Sequence, residues 1–266
     1  MNTEKRVVIY NSTKDTIMNT EKRVAVVTGS YKGLGFEIAR KLAKLDNIQV
    51  IVSGRDKAKG LEAREKLAQQ GLEVDFLPLD VTDDKSVENF VSALREQYGR
   101  VDILVNNAGV NPAKEAEEGS VLTAKLDTVL STFAVNSVGP LRICQALIPM
   151  MKEHNYGRIV NVSTEMASLN YIPNDYYPLA PSYRLSKIGL NGVACLLARE
   201  LKDTNILINN YSPGWMKTDI GGADAPLTAE EGAETAVYLA TLPDGGSQGG
   251  FFAEMRKFGG PFALPW

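Results

Sequence analysis

At 266 residues and 44% hydrophobic content, the chain is long enough to bury one large α/β core. A net charge of −3, with no block of lysine and arginine, excludes a surface that tracks nucleic-acid phosphates. Charged residues interrupt every apolar stretch short of the ~18 residues of a bilayer span, and the start lacks a signal-peptide core. His154 is the sole histidine and no Cys-x-x-Cys pair occurs, so no metal site is expected. Cys144 and Cys195 are read as two buried thiols in a reducing compartment, which predicts a cytoplasmic protein.

Met1-Asn2-Thr3-Glu4-Lys5-Arg6-Val7 recurs unchanged at Met18 to Val24, and only the second copy runs on into an apolar strand. Residues 1–22 are therefore read as a loose N-terminal extension from a start-site or expression artefact. The alternative is that Val7–Tyr10 pairs along a sheet edge. From Arg23 onward, strand and helix alternate over 23–266. Strands are expected at Arg23–Thr28, Ile48–Ser53, Val74–Leu79, Asp102–Val105, Arg158–Val162, Ile206–Asn210 and Gly250–Ala253. Helices are expected at Phe36–Leu45, from a cap at Asp56 through Gln70, and at Ser86–Tyr98. Others are expected at Leu122–Met150 with a break near Pro140, at Tyr183–Leu201 and at Ala229–Ala240. Apolar strands between amphipathic helices mean a parallel sheet of about seven strands covered on both faces. The fold class is a single doubly wound, Rossmann-type α/β domain.

The first strand runs into Thr28-Gly29-Ser30-Tyr31-Lys32-Gly33-Leu34-Gly35. A phosphate reaching the main-chain N–H groups of a helix start needs absent side chains, and the helix dipole favours its charge. Gly29, Gly33 and Gly35, with Leu34 between the last two, meet that need. The spacing is G-x-x-x-G-x-G and not the G-x-G-x-x-G fingerprint. A simple glycine-rich turn is the alternative, and the position between a strand and an amphipathic helix weighs against it. The second strand ends in Ser53-Gly54-Arg55, so Arg55 and Lys32 form a cation pair suited to the 2′-phosphate of NADP. Asp56 lies about 20 residues past the glycines, where an acidic side chain would bond a free ribose hydroxyl. It is read as a helix cap pointing away.

Tyr183-Arg184-Leu185-Ser186-Lys187 places a phenol and an ammonium on one helical face. A tyrosine in water has a pKa of ~10 and shuttles protons poorly at neutral pH. A cation about 4 Å away at an effective dielectric of ~20 favours the phenolate by ~4 kcal/mol, about three pKa units. Tyr183 is thus the expected proton donor to a developing alkoxide.

With these motifs the chain resembles the short-chain dehydrogenase/reductase family, and within it the carbonyl reductases. The resemblance runs from Arg23 to the C-terminus. It rests on Thr28–Gly35, Leu79-Asp80-Val81, Asn106-Asn107-Ala108-Gly109, Asn136, Gly157–Thr164, Tyr183–Lys187 and Pro213-Gly214-Trp215-Met216-Lys217-Thr218-Asp219. Glu230–Thr235 and Tyr238-Leu239-Ala240 resemble the carbonyl reductases in particular. The likeness implies that Asp80 and Val81 hold the adenine and that Asn107 lies against the cofactor. It further implies that Lys187 bonds the ribose, and that Met216 and Thr218, after Pro213 and Gly214, bond the nicotinamide amide. Asn136 would fix a water in a proton relay ending at Lys187.

One position departs from the pattern, because the family's substrate-orienting serine aligns with Thr164. Ser163 and Thr164 face opposite sides of a strand, so only one reaches the site. Thr164 is expected to bond the carbonyl oxygen, its methyl narrowing the pocket. Between Thr164 and Tyr183 lies an aromatic stretch including Tyr171, Tyr176 and Tyr177, which either lines an apolar pocket or packs on the sheet edge. Trp215 and Met216 are expected to form the opposite wall. The stretch is shorter than the insertion thought to block tetramers in animal carbonyl reductases, which leaves monomer or homo-oligomer open. The expected activity is NADPH-dependent reduction of apolar ketones, aldehydes or quinones. Oxidation of a specific secondary alcohol and a silent NADP-binding sensor stand as alternatives.

Overall fold

Short runs of β-branched and aliphatic residues form seven parallel strands. They are β1 (Arg23–Val27), β2 (Ile48–Gly54), β3 (Val74–Pro78), β4 (Ile103–Asn106), β5 (Gly157–Val162), β6 (Ile206–Tyr211) and β7 (Phe251–Phe252). The computed structural model describes residues 22–266. The expected N-terminal extension, with its Val7–Tyr10 edge-strand alternative, lies outside the described residues but for Lys22. Strand order is β3-β2-β1-β4-β5-β6-β7, as the doubly wound reading expected. Order reverses between β1 and β4, where Val27 stands beside both Val52 and Val105. The connections leaving those two strands lead to opposite faces of the sheet, α1 (Gly33–Leu42) on one and α5 (Gly139–Glu153) on the other. The crevice at the carboxyl edge of such a switch point is the usual ligand position in these sheets.

Alternate residues of each strand feed two cores. Ala25, Val27, Val50, Val52 and Val105 pack under α1 (Gly33–Leu42), α2 (Lys57–Ala68) and α7 (Ala229–Ala240), through Ile38, Leu67 and Leu239 among others. Val24, Val26, Ile51, Leu104 and Ile159 pack on the other face under α3 (Asp84–Tyr98), α5 (Gly139–Glu153) and α6 (Pro181–Glu200), through Phe90, Ile143 and Ala194. A last short helix, α8 (Met255–Phe258), follows β7.

The helix expected over Leu122–Met150 is two helices. α4 (Leu126–Phe133) passes into a π turn at Ala134–Val138, and α5 follows with Pro140 in its first turn. Pro140 has no N–H for the Asn136 carbonyl, and its ring would clash there in a regular helix. The widened turn removes the clash and buries Asn136. Cys144 is buried as expected, and its thiol is pushed up to about 12 by burial. Cys195 corrects the sequence reading, because it lies exposed on α6. No helix among the described residues is long and apolar enough to cross a membrane, and no group of three or more His, Cys, Asp or Glu among them could hold a metal ion.

Candidate active site at the carboxyl edge of the sheet

The turn after β1 is shaped by what it must touch. Gly29 has φ +62°, and a Cβ there would lie 2.8 Å from the Ala108 Cα. At Gly35 a Cβ would lie 2.3 Å from the Asn107 Nδ2 and 2.8 Å from the Gly29 carbonyl. The Asn107 amide is committed to this loop, donating to the Thr28 and Gly29 carbonyls at 2.9 and 3.0 Å. Asn107 therefore shapes the cradle with its side chain. Gly33, at φ +57°, faces Thr218 across the crevice, with 3.7 Å from an added Cβ to the Thr218 methyl. Leu34 turns inward and packs in the core. No side chain caps α1, whose first N–H groups are presented to the crevice.

A cationic rim lies beside the cradle. The Tyr31 ring covers Gly54, and the Lys32 and Lys59 ammonium groups each lie 6.0 Å from its centroid. Arg55 projects from the end of β2, exposed. Asp56 caps α2 as expected, accepting from the Lys59 N–H at 3.1 Å. Lys32 is paired with Asp219 across the crevice, a contact that sequence reading missed. Lys114 also donates to the Asp219 carbonyl at 3.4 Å. Asp80 accepts from the Thr82 N–H and hydroxyl at 2.9 and 2.6 Å, bonds that hold its carboxyl below the usual range. The Val81 side chain packs toward Gly139, and its carbonyl accepts from Arg142 at 2.8 Å.

Tyr183 and Lys187 come together on α6, the Lys187 ammonium lying 5.8 Å from the phenol ring centroid. Lys187 is 4% exposed and donates to the Val162 carbonyl at 2.7 Å. The Tyr183 hydroxyl makes no hydrogen bond to the other described residues. Its expected acidification is overturned in the protein's own electrostatics, because burial pushes the phenol up to about 12. Burial likewise brings Lys187 down to about 8. Desolvation opposes both charged forms and outweighs the pairing inferred from an exposed-helix picture.

Asn136 joins this group from the π turn. Its Oδ1 accepts from the Val110 N–H at 2.9 Å, and its Nδ2 donates to the Val110 carbonyl at 2.8 Å and the Ser186 hydroxyl at 2.9 Å. Gly109 lies between them, since a Cβ there would be 3.2 Å from the Asn136 Oδ1 and 3.6 Å from the Lys187 Nζ. Thr164, partly exposed, opens the 3-10 turn Glu165–Ala167 and accepts from the Met166 N–H at 3.3 Å. Ser163 is buried and donates to the Asn191 Oδ1 at 2.7 Å. The two hydroxyls are thus divided as strand alternation requires.

That bond ends a buried asparagine ladder across three strands, which sequence reading missed. Asn106 donates to Asn161, Asn161 to Asn210, and Asn210 to Asn191, each at 2.8 Å. Asn106, Asn161 and Asn210 are register partners on β4, β5 and β6. The only sequence signal is an asparagine near the end of each of those strands.

On the far side, Pro213 leads to Gly214 at φ +77°. Met216 does not line the wall as expected, because its sulfur is packed toward Gly232 beneath α7. Trp215 is 57% exposed, its Nε1 donating to the Gly221 carbonyl at 2.7 Å. Thr218 Oγ1 accepts from the Gly221 N–H at 3.1 Å. The aromatic stretch before α6 borders a cavity of about 260 Å³, lined by Glu165, Tyr171, Tyr176, Tyr177, Phe258 and Phe262 among others. Tyr177 donates to the Glu165 carboxylate at 2.7 Å.

The family model described as short chain dehydrogenase matches residues 23–226. The chain is 33% identical to the mouse protein "Carbonyl reductase [NADPH] 3", over 85% of this chain and 93% of that protein. It is also 33% identical to "(+)-neomenthol dehydrogenase" of Arabidopsis thaliana, over 88% and 97%. Among solved structures, the NADPH-bound carbonyl reductase from chicken fatty liver superposes with a TM-score of 0.79 at 27% identity, covering 92% of this chain and all of that one (100%). Salutaridine reductase from Papaver somniferum superposes with a TM-score of 0.73 at 30% identity, covering 86% and 99%.

Proposed function

The chain belongs to the short-chain dehydrogenase family, and from that premise we propose that it is an NADPH-dependent reductase of apolar ketones, aldehydes or quinones. The observation that carries the reading is the meeting of three elements at one sheet edge. A glycine cradle after β1, a cationic rim at the end of β2 and the Tyr183–Lys187 pair held at the end of β5 lie along one carboxyl edge and support this reading.

The residues present fit the cofactor. Gly29 and Gly35 admit no Cβ, α1 presents uncapped N–H groups, and Lys32, Arg55 and Lys59 supply positive charge for a 2′-phosphate. The asparagine of the loop after β4 stiffens the cradle, while Asp80, Val81, Pro213, Gly214, Met216 and Thr218 build the flanking loops. When bound, the nicotinamide supplies hydride to the carbonyl carbon.

Tyr183 then supplies the proton. A phenol at about 12 stays protonated at neutral pH, and an alkoxide is a far stronger base than a phenolate, so transfer to the new alcohol is downhill. Thr164 offers its hydroxyl to the same oxygen. The Lys187 ammonium, held by the Val162 carbonyl, stabilises the phenolate left behind. Trp215 and the aromatic cavity beside Glu165 favour an apolar substrate body. The unpaired cysteines Cys144 and Cys195 suit a reducing, cytoplasmic setting.

Nicotinamide absorbance, followed with NADPH or NADH over a panel of ketones, aldehydes and quinones, tests the reading. Turnover of apolar carbonyls with NADPH is expected, with NADH much poorer. Cofactor binding without oxidation on any substrate would instead mean a nucleotide sensor.

A further inference from the structure

The helix that carries Tyr183 and Lys187 has no cap of its own. Pro181 opens α6 without an N–H, and Ala180 offers no side-chain oxygen. Ala180 also stands at φ +36°, ψ +58°, a left-handed conformation that residues with a Cβ rarely adopt. The orphan N–H of Ser182 is satisfied from outside the helix. Glu118, in the 3-10 turn Ala116–Gly119, accepts from that N–H at 3.0 Å and from the Ser182 hydroxyl at 2.5 Å. Glu118 is 3% exposed. A carboxylate this buried is tolerable because both oxygens are hydrogen-bonded and the helix dipole favours its charge.

The same connection is tied down at its other end. Asn136 bonds both the N–H and the carbonyl of Val110, and donates to Ser186, one turn along α6 from Ser182. Ser182 and Ser186 thus form a row that holds the loop after β4. Tyr183 and Lys187 form the adjacent row on the same helix.

We propose that Glu118 is a positioning residue for Tyr183, capping α6 from another wall of the crevice and so setting where the Tyr183–Lys187 row meets the substrate. The proposal rests on the reading of Tyr183 as proton donor. Glu118 touches neither substrate nor cofactor and acts only through Ser182.

Steady-state kinetics, NADPH binding by fluorescence and thermal melting on Glu118→Ala, Glu118→Gln and Ser182→Ala test it. Glu118→Ala is expected to lower kcat by about 10- to 100-fold, the scale of an ångström-sized misplacement. Its Kd for NADPH stays within about threefold, because the cradle and cationic rim that hold the phosphates lie on other elements and only the Lys187 contact to the ribose is on α6. Glu118→Gln recovers most of kcat, since an amide oxygen still accepts from the Ser182 N–H. Ser182→Ala is milder because it keeps that backbone bond. A folded Glu118→Ala with unchanged kcat overturns the proposal. So do losses of kcat and NADPH affinity that fall together with the folded fraction. If Glu118→Ala does not fold, Glu118→Asp replaces it, one methylene too short to reach both Ser182 atoms. Wild-type kcat in that variant overturns the proposal equally. Full turnover in Tyr183→Phe would sink the underlying reading instead, whatever Glu118 does.

Discussion

The Lys187 ammonium is bonded to the Val162 carbonyl at 2.7 Å, which anchors α6 to the end of β5. Burial lowers Lys187 from its ordinary 10.5 to about 8 and raises Tyr183 to about 12. The proposed mechanism needs Lys187 charged and Tyr183 protonated, so the first group it loses on raising the pH is Lys187. The expected result is a kcat/KM for reduction that declines as pH rises through about 8. A profile flat up to pH 10 contradicts this assignment. Stability has the opposite sign at Lys187: the buried ammonium costs stability below pH 8, and that cost is relieved between about 8 and 10.5 as the unfolded chain alone holds the proton. Tyr183 acts in reverse above pH 10, where the unfolded chain ionises first and stability falls.

Tyr183→Phe removes the donor and little else, because its hydroxyl makes no hydrogen bond to the other described residues. Turnover should drop by about 10²- to 10⁴-fold, the usual worth of a positioned general acid. NADPH affinity should hold within a few-fold, and the melting temperature should barely move. Single-turnover absorbance with a fluorescence titration separates the two quantities.

Ser163 and Thr164 should split cleanly between stability and activity. Thr164→Val is expected to lower kcat by about 10- to 100-fold while folding normally, and Thr164→Ser to keep turnover. Ser163→Ala should keep turnover per folded molecule but lose about 1–2 kcal/mol, since Asn191 loses a buried partner. Denaturant titration alongside kinetics checks both, and the converse pattern would mean that Ser163 serves the substrate.

Two glycine substitutions should move stability in opposite directions. Gly35→Ala drives a methyl to 2.3 Å from the Asn107 amide, so it should cost about 1–3 kcal/mol and abolish measurable NADPH binding. Gly192→Ala, on α6 with nothing within 4 Å of the added carbon, should stabilise by about 0.5–1 kcal/mol without touching activity. Paired urea melts read the difference directly.

Asp219→Asn releases Lys32 from its cross-crevice partner. The pair is exposed, so stability should change by no more than about 0.5 kcal/mol. NADPH affinity should rise several-fold at low salt, with NADH affinity unchanged, because only the phosphorylated ribose uses the released charge. Lys32→Ala should show the reverse selectivity. Equal changes for both cofactors would remove Lys32 from the 2′-phosphate site.

What could be read from the chain alone was local in origin. Strand and helix periods, the glycine turn after β1, the Asp56 cap and the Tyr183–Lys187 spacing each depend on residues a few positions apart. Such patterns survive without knowledge of the fold. Asn136 was not legible in that way: only the family likeness singled it out, and the nearby Pro140 signalled no more than a break in its helix. The division between Ser163 and Thr164 followed from strand alternation.

The tertiary structure decided whatever depends on distance in space and on dielectric. Glu118 reaches Ser182 across 64 positions of chain, and the asparagine ladder joins ends of three strands. Lys32 meets Asp219 across 187 positions. Cys195 is exposed because the orientation of α6, and not residue type, selects which of its faces is buried, and Met216 is buried because the loop after β6 turns its sulfur toward Gly232 of α7. The sign of the Tyr183 shift also belongs here. Spacing along a helix places a cation near a phenol, but only the packed neighbours set how much water is lost, and desolvation grows with burial faster than one partner offsets it.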